Sequence, residues 1–98
     1  MVKTVIEQIR IGQLINQQRS YSQMVDLELE LRHTLNLANE RYASEIQSLD
    51  YEAAERTVKK MEGYVSDLVE LNYDMSNCQE RINKIRRELG LREMKAGA

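Results

Sequence analysis

Ninety-eight residues with 31% charged side chains, four glycines and no proline, tryptophan or phenylalanine suit one helical domain and leave little for turn-rich β architectures. The single cysteine excludes an internal disulfide framework, and no apolar run approaches the length of a membrane span. Net charge is −2, but residues 26–55 set eight acidic residues against two basic ones, whereas 80–95 set six basic against three acidic. Opposite charges on different segments can guide antiparallel packing or assembly. A chain this short has a thin core unless a partner adds to it.

In chain order, the apolar spacing predicts three helices. The first spans about 3–17, with Val2, Val5, Ile6 and Ile9 on one face and Ile11, Leu14 and Ile15 on a rotated one. Gly12 weakens it by about 1 kcal/mol relative to alanine. The polar stretch Asn16, Gln17, Gln18, Arg19, Ser20 reads as the break, with Ser20 and Gln23 at capping-box spacing. The second helix spans about 21–47, with the stripe Met24, Leu27, Leu31, Leu35, Ala38, Tyr42, Ile46, Leu49. Its 3-4-4 rhythm is an eleven-residue repeat, which runs nearly straight. Val25 and Leu29 form a secondary face.

Ser48, Leu49 and Asp50 read as a tight turn. Asp50 is placed to cap the third helix, Glu52 and Glu55 complement its dipole, and Leu49 with Ala54 matches a hydrophobic staple. The third helix spans about 51–89, roughly 58 Å against about 40 Å for the second, so its end is expected to overhang. It carries an unbroken heptad seam: Met61, Tyr64, Leu68, Leu71, Met75, Cys78, Ile82, Ile85, Leu89. The 3-4 spacing keeps a narrow stripe facing a partner helix. Val58 and Val65 widen the stripe early, while Asn72, Gln79 and Arg86 hold the equivalent later sites. Gly90 fits a C′ glycine with Leu91 folding back, and 92–98 reads as a flexible tail after a single helical domain, 1–91.

Few residues suggest chemistry. Glu30 and His33 form a Glu-x-x-His pair, but a bundle metal site needs further inward-facing carboxylates, and every carboxylate falls off the main stripes. A solvated helix face is the simpler reading, and no metal or cofactor is assigned. Cys78 lies in the seam and reads as a buried structural thiol, because it lacks a neighbouring base and packs like a small hydrophobe. The cluster Arg81, Lys84, Arg86, Arg87 could touch phosphates, yet this end has no aromatics for base stacking. Tyr42 and Tyr64 sit on apolar stripes, and Tyr73 with Val69 marks a third contact surface. No nucleotide loop, zinc-ligand set or catalytic triad spacing occurs, so a non-enzyme is expected.

The stretch from Leu49 to Met61, acidic and aromatic at its start and then basic and apolar, resembles the helix start in the C-terminal bundle of the J-type co-chaperones of iron–sulphur assembly. It covers thirteen residues of a kind common in helical hairpins, and the His-Pro-Asp of a J-domain is absent, so co-chaperone activity is not carried over. In size and acidity the chain is also similar to the small helical export chaperones of flagella and type III secretion.

Together these readings predict an all-α protein. It is an antiparallel helical hairpin or three-helix bundle with a long C-terminal coiled-coil-like helix, and it is oligomeric. The expected role is protein–protein interaction, as adaptor, secretion-type chaperone or small inhibitor, through the seam from Met61 to Leu89. The partner is a second copy or another protein. The alternative is nucleic-acid association through Arg81, Lys84, Arg86 and Arg87. Neither a signal peptide nor a membrane segment is read, so a cytoplasmic location is expected.

Overall fold

The computed structural model describes residues 4–91. It contains two helices, α1 (Val5–Gln47) and α2 (Tyr51–Glu88), joined by a three-residue turn. Among the described residues there is no strand. The anticipated tail, 92–98, and Val2 lie outside the described residues.

The fold is all-α, but it has two helices where the sequence reading expects three. α1 runs without interruption through Asn16–Ser20. The cause is the seam itself. Leu14, Gln17, Tyr21 and Met24 follow one another at 3-4-3 spacing, so an unbroken helix keeps facing α2 across the polar stretch. A break would give up backbone hydrogen bonds for no gain in packing.

The stripe on α1 also differs from the expected eleven-residue repeat. Its inward positions are Leu14, Gln17, Tyr21, Met24, Glu28, Leu31, Leu35, Ala38, Tyr42 and Glu45, all buried or half-buried. That is a strict heptad rhythm. Leu27 and Ile46, assigned inward by their apolar character, are 46% and 37% exposed. A helix packed along a 3-4 seam must present a 3-4 seam in return. Polar residues therefore occupy inward positions, and their apolar neighbours turn outward.

Two compact units divide the chain. The first comprises the beginning of α1 and the end of α2, described over 4–25 and 73–91. Its core is Leu14, Cys78, Ile82 and Ile85, with Tyr21, Met24 and Leu89 packed against it. The expected overhang of the last helix is therefore absent. With α1 continuous, the C-terminal half of the seam meets the N-terminal part of α1. The second unit, Asp26–Asn72, is the hairpin around the turn, and it buries Ala54, Thr57, Leu68 and Leu71.

The ends follow local rules. Thr4 Oγ1 accepts from the Glu7 N–H at 3.1 Å, and Asp50 Oδ1 accepts from the Ala53 N–H at 3.2 Å, so each helix has an N-cap. α2 closes in a Schellman motif: Gly90 takes φ 71°, Gly90 N–H donates to the Arg87 carbonyl, and Leu91 N–H donates to that of Arg86. α1 closes in the same motif, with Leu49 N–H on the Ile46 carbonyl and Asp50 N–H on that of Glu45. Here the left-handed residue is Leu49, at φ 61° and 68% exposed. It serves the α1 cap with its side chain outward, where the sequence suggested a staple onto Ala54.

A left-handed leucine costs about 1 kcal/mol, and an interior helical glycine costs a similar amount. Gly63 lies within α2, and a Cβ there would meet nothing within 4 Å. Leu49→Gly and Gly63→Ala should therefore each stabilise the protein by about 0.5–1 kcal/mol, read as a thermal midpoint raised by a few degrees. Gly90→Ala, at φ 71°, should shift it the other way.

Candidate protein-docking surface

The α2 seam is where the sequence placed it and faces inward along its length. Leu68, Leu71, Cys78, Ile82 and Ile85 are buried, and Met61, Tyr64, Met75 and Leu89 are half-buried. The same rhythm extends back to Ala54 and Thr57. Its cover is supplied by α1 of the same chain. A partner must therefore displace α1 or bind beside the seam.

Two polar layers punctuate the seam. In the first unit, Cys78 Sγ, fully buried, donates to the Gln17 backbone carbonyl at 3.3 Å, with Gln17 Oε1 at 3.5 Å. Arg81 Nε–H donates to the same Oε1 at 3.2 Å. In the second unit, the buried Thr57 hydroxyl donates to Glu45 Oε1. Among the described residues, no buried side-chain nitrogen or oxygen is left without a partner. An unmet polar group in a seam costs roughly 1–3 kcal/mol, so these pairings hold the helices in one register. Arg10 Nε and Glu88 Oε2, 2.8 Å apart and partly exposed, add an ion pair at the end of the first unit.

Grooves flank the seam, and in the second unit the two sides differ. One side is apolar: Tyr42, Val58, Met61 and Val65 line about 350 Å³, with Asn39 and Glu62 at its edge. Val65 is 47% exposed, and Val69, one turn further along α2, is 64% exposed. The other side, about 200 Å³, is mixed: Arg41, Lys60 and Thr34 line it together with Leu37, Ala38 and Tyr64, and Leu37 is 52% exposed. Val58 and Val65 were legible as a widening of the stripe. Tyr42 was legible only as core, although it also floors the groove.

The basic cluster does not form one patch. Arg81 and Lys84 line a groove of about 320 Å³ in the first unit with Arg10, Gln13, Gln17 and Ile85. Arg86 and Arg87 fall outside that lining. Arg87 is exposed and Arg86 half-buried, and both engage other groups. Glu30 and His33 are exposed, and among the described residues no three histidine, cysteine or acidic side chains lie together as a metal would need. Tyr51 and Tyr73 are exposed, while Tyr42 and Tyr64 are half-buried. Among the described residues, no helix is long and apolar enough to cross a membrane.

Comparison with protein-family models, with curated proteins and with solved structures finds no match.

The packing sets the cost of changes. Ile82 is fully buried in the first unit's core, so Ile82→Ala should destabilise by about 3 kcal/mol in denaturant titration. Val69→Ala should stay within about 0.5 kcal/mol. The Cys78 thiol should react with a thiol reagent only as fast as the protein opens. Rapid labelling under native conditions would mean the seam is not closed.

Proposed function

We propose that this chain is a non-enzymatic helical protein-binding module that buries a partner's apolar helix face in the groove beside its own seam. The observation that carries this reading is the apolar groove of the second unit, formed by Tyr42, Val58, Met61 and Val65 and continued by exposed Val69. Apolar side chains at helical spacing beside an occupied seam form a third-helix position. Methionine in the floor adapts to the shape of what enters. Adaptor, secretion-type chaperone and small inhibitor are roles such a surface can serve. A cytoplasmic location suits the single thiol, Cys78.

Nucleic-acid association through the basic end is the second reading, supported by the groove that Arg81 and Lys84 share with Arg10. Two features weigh against it. Arg10 is paired with Glu88, and Arg81 is held by Gln17, so both cations have protein partners. The cluster also splits between the groove and the rest of the helix surface, away from a single phosphate track.

The test uses the full chain as immobilised bait beside its Val65→Glu, Val69→Glu variant. The reading expects a helical protein ligand retained by the parent chain and lost by the variant, because a carboxylate buried in an apolar groove costs several kcal/mol. Equal retention by both would refute the groove as the binding surface. Retention of nucleic acid that falls steeply with salt would favour the second reading.

A further inference from the structure

We infer that the groove between the two helices of the first unit is a binding site for a small multivalent anion of the phosphate class, held by Arg10, Arg81 and Lys84. The inference is independent of the apolar groove of the second unit and of the protein-binding reading.

The groove carries one sign of charge. Arg10, Gln13 and Gln17 of α1 and Arg81, Lys84 and Ile85 of α2 line about 320 Å³, and no carboxylate is in that lining. Like charges brought together from two helices repel one another, and a multivalent anion between them relieves the repulsion. Glu88, bonded to Arg10 from outside the lining, offsets one of the three charges and leaves two. The volume lies at the lower end of small-molecule sites. The cationic groove of the second unit is differently made, since Arg41 and Lys60 share it with Leu37, Ala38 and Tyr64.

The cations are also oriented. Gln17 is fixed from the core: its backbone carbonyl accepts from the buried Cys78 thiol at 3.3 Å, and its Oε1 lies 3.5 Å from the same sulfur. That Oε1 accepts from Arg81 Nε–H at 3.2 Å, which ties the guanidinium to the core through Gln17. On the α1 side, Arg10 Nη1 donates to Gln13 Oε1 at 3.0 Å. A guanidinium has five N–H donors, so these bonds hold each arginine in place and leave donors for a ligand. A glutamine oxygen orients an arginine without neutralising it, whereas a carboxylate does both. Lys84 is exposed, and among the described residues it has no ion pair or hydrogen bond, so its ammonium donors are open to an anion in the groove. Groups held in place before a ligand arrives lose less freedom when it binds.

The site is discrete. Arg86 and Arg87 lie outside the lining and engage other groups. A polynucleotide is held along a track of cations, whereas three cations around one groove match one or two phosphate groups.

Titration of the intact chain with inorganic pyrophosphate, followed by backbone amide NMR at constant ionic strength, tests this. Pyrophosphate should give saturable shifts confined to residues 10–17 and 81–85. Lys84→Gln and Arg81→Gln should each weaken binding ~10-fold or more, as the loss of a charge-assisted hydrogen bond predicts. Lys60→Gln, in the groove of the second unit, should leave it unchanged. Circular dichroism checks that helicity is kept. If Arg81→Gln loses helicity, Lys84→Gln decides, because Lys84 bonds nothing in the described fold. Shifts that fail to saturate overturn the inference, as does a loss with Lys60→Gln equal to that with Lys84→Gln, since general surface charge then accounts for both. A single-stranded oligonucleotide that pyrophosphate displaces supports the site, its phosphate being the ligand. An oligonucleotide that resists displacement and shifts Arg86 and Arg87 as well overturns it in favour of a nucleic-acid track.

Discussion

Two helices packed side by side touch along one line, and every other feature of this protein follows from how that line is filled. The 3-4 rhythm of α2, from Ala54 to Leu89, admits only a neighbour with the same rhythm. α1 meets the requirement by running unbroken from Val5 to Gln47. Its continuity is therefore a packing result and does not come from helix propensity, which is indifferent to the polar stretch at Asn16–Ser20. The turn is fitted to the same end. A short connection forces antiparallel neighbours, and the chain accepts a left-handed leucine at position 49 to make it.

The cost of the common rhythm is that some inward positions on α1 are polar. Gln17 and Glu45 are tolerated because each meets a complementary group on α2: Cys78 and Arg81 in one unit, Thr57 in the other. Sliding one helix past the other by a turn would separate those groups and leave them unmet in a low-dielectric seam. An all-leucine seam would be stickier and less selective in register. The polar layers trade some burial for a single alignment.

This explains what was legible in the sequence. The α2 seam was readable residue by residue, because nearly all its positions are apolar and the spacing has no competitor. The Asp50 cap and the Gly90 stop were readable because they depend on local chemistry alone. The α1 seam was not, because apolarity points to Leu27 and Ile46 while the partner selects Glu28 and Glu45. For Glu45 the deciding contact is with Thr57 of α2, twelve positions away, whereas Glu28 bonds to Arg32 of its own helix and takes its inward place from the rhythm of the seam. The same displacement hid the candidate site. Once the seam is spent internally, the apolar surface left open lies on its flanks, where Val58 and Val65 look like mere widening of a stripe.

The flanks then carry a choice that the seam cannot. Both helices contribute residues to both sides, and the apolar ones are not shared evenly. Tyr42, Val58, Met61 and Val65 open on one side, whereas Arg41 and Lys60 flank the other. Exposed apolar side chains gain nothing in water, and both grooves hold one, Val65 on one side and Leu37 on the other. The two flanks thus differ in charge: cations line one groove beside Leu37, and the other holds a single carboxylate, Glu62, among apolar side chains. Neither groove draws on Leu68, Leu71, Cys78 or Ile82, which hold the hairpin closed. Under the proposed protein-binding role, stability and recognition would fall on separate residues. Exposed Val65 and Val69 are then open to variation that buried Leu68, Leu71 and Ile82, which keep the fold, do not tolerate.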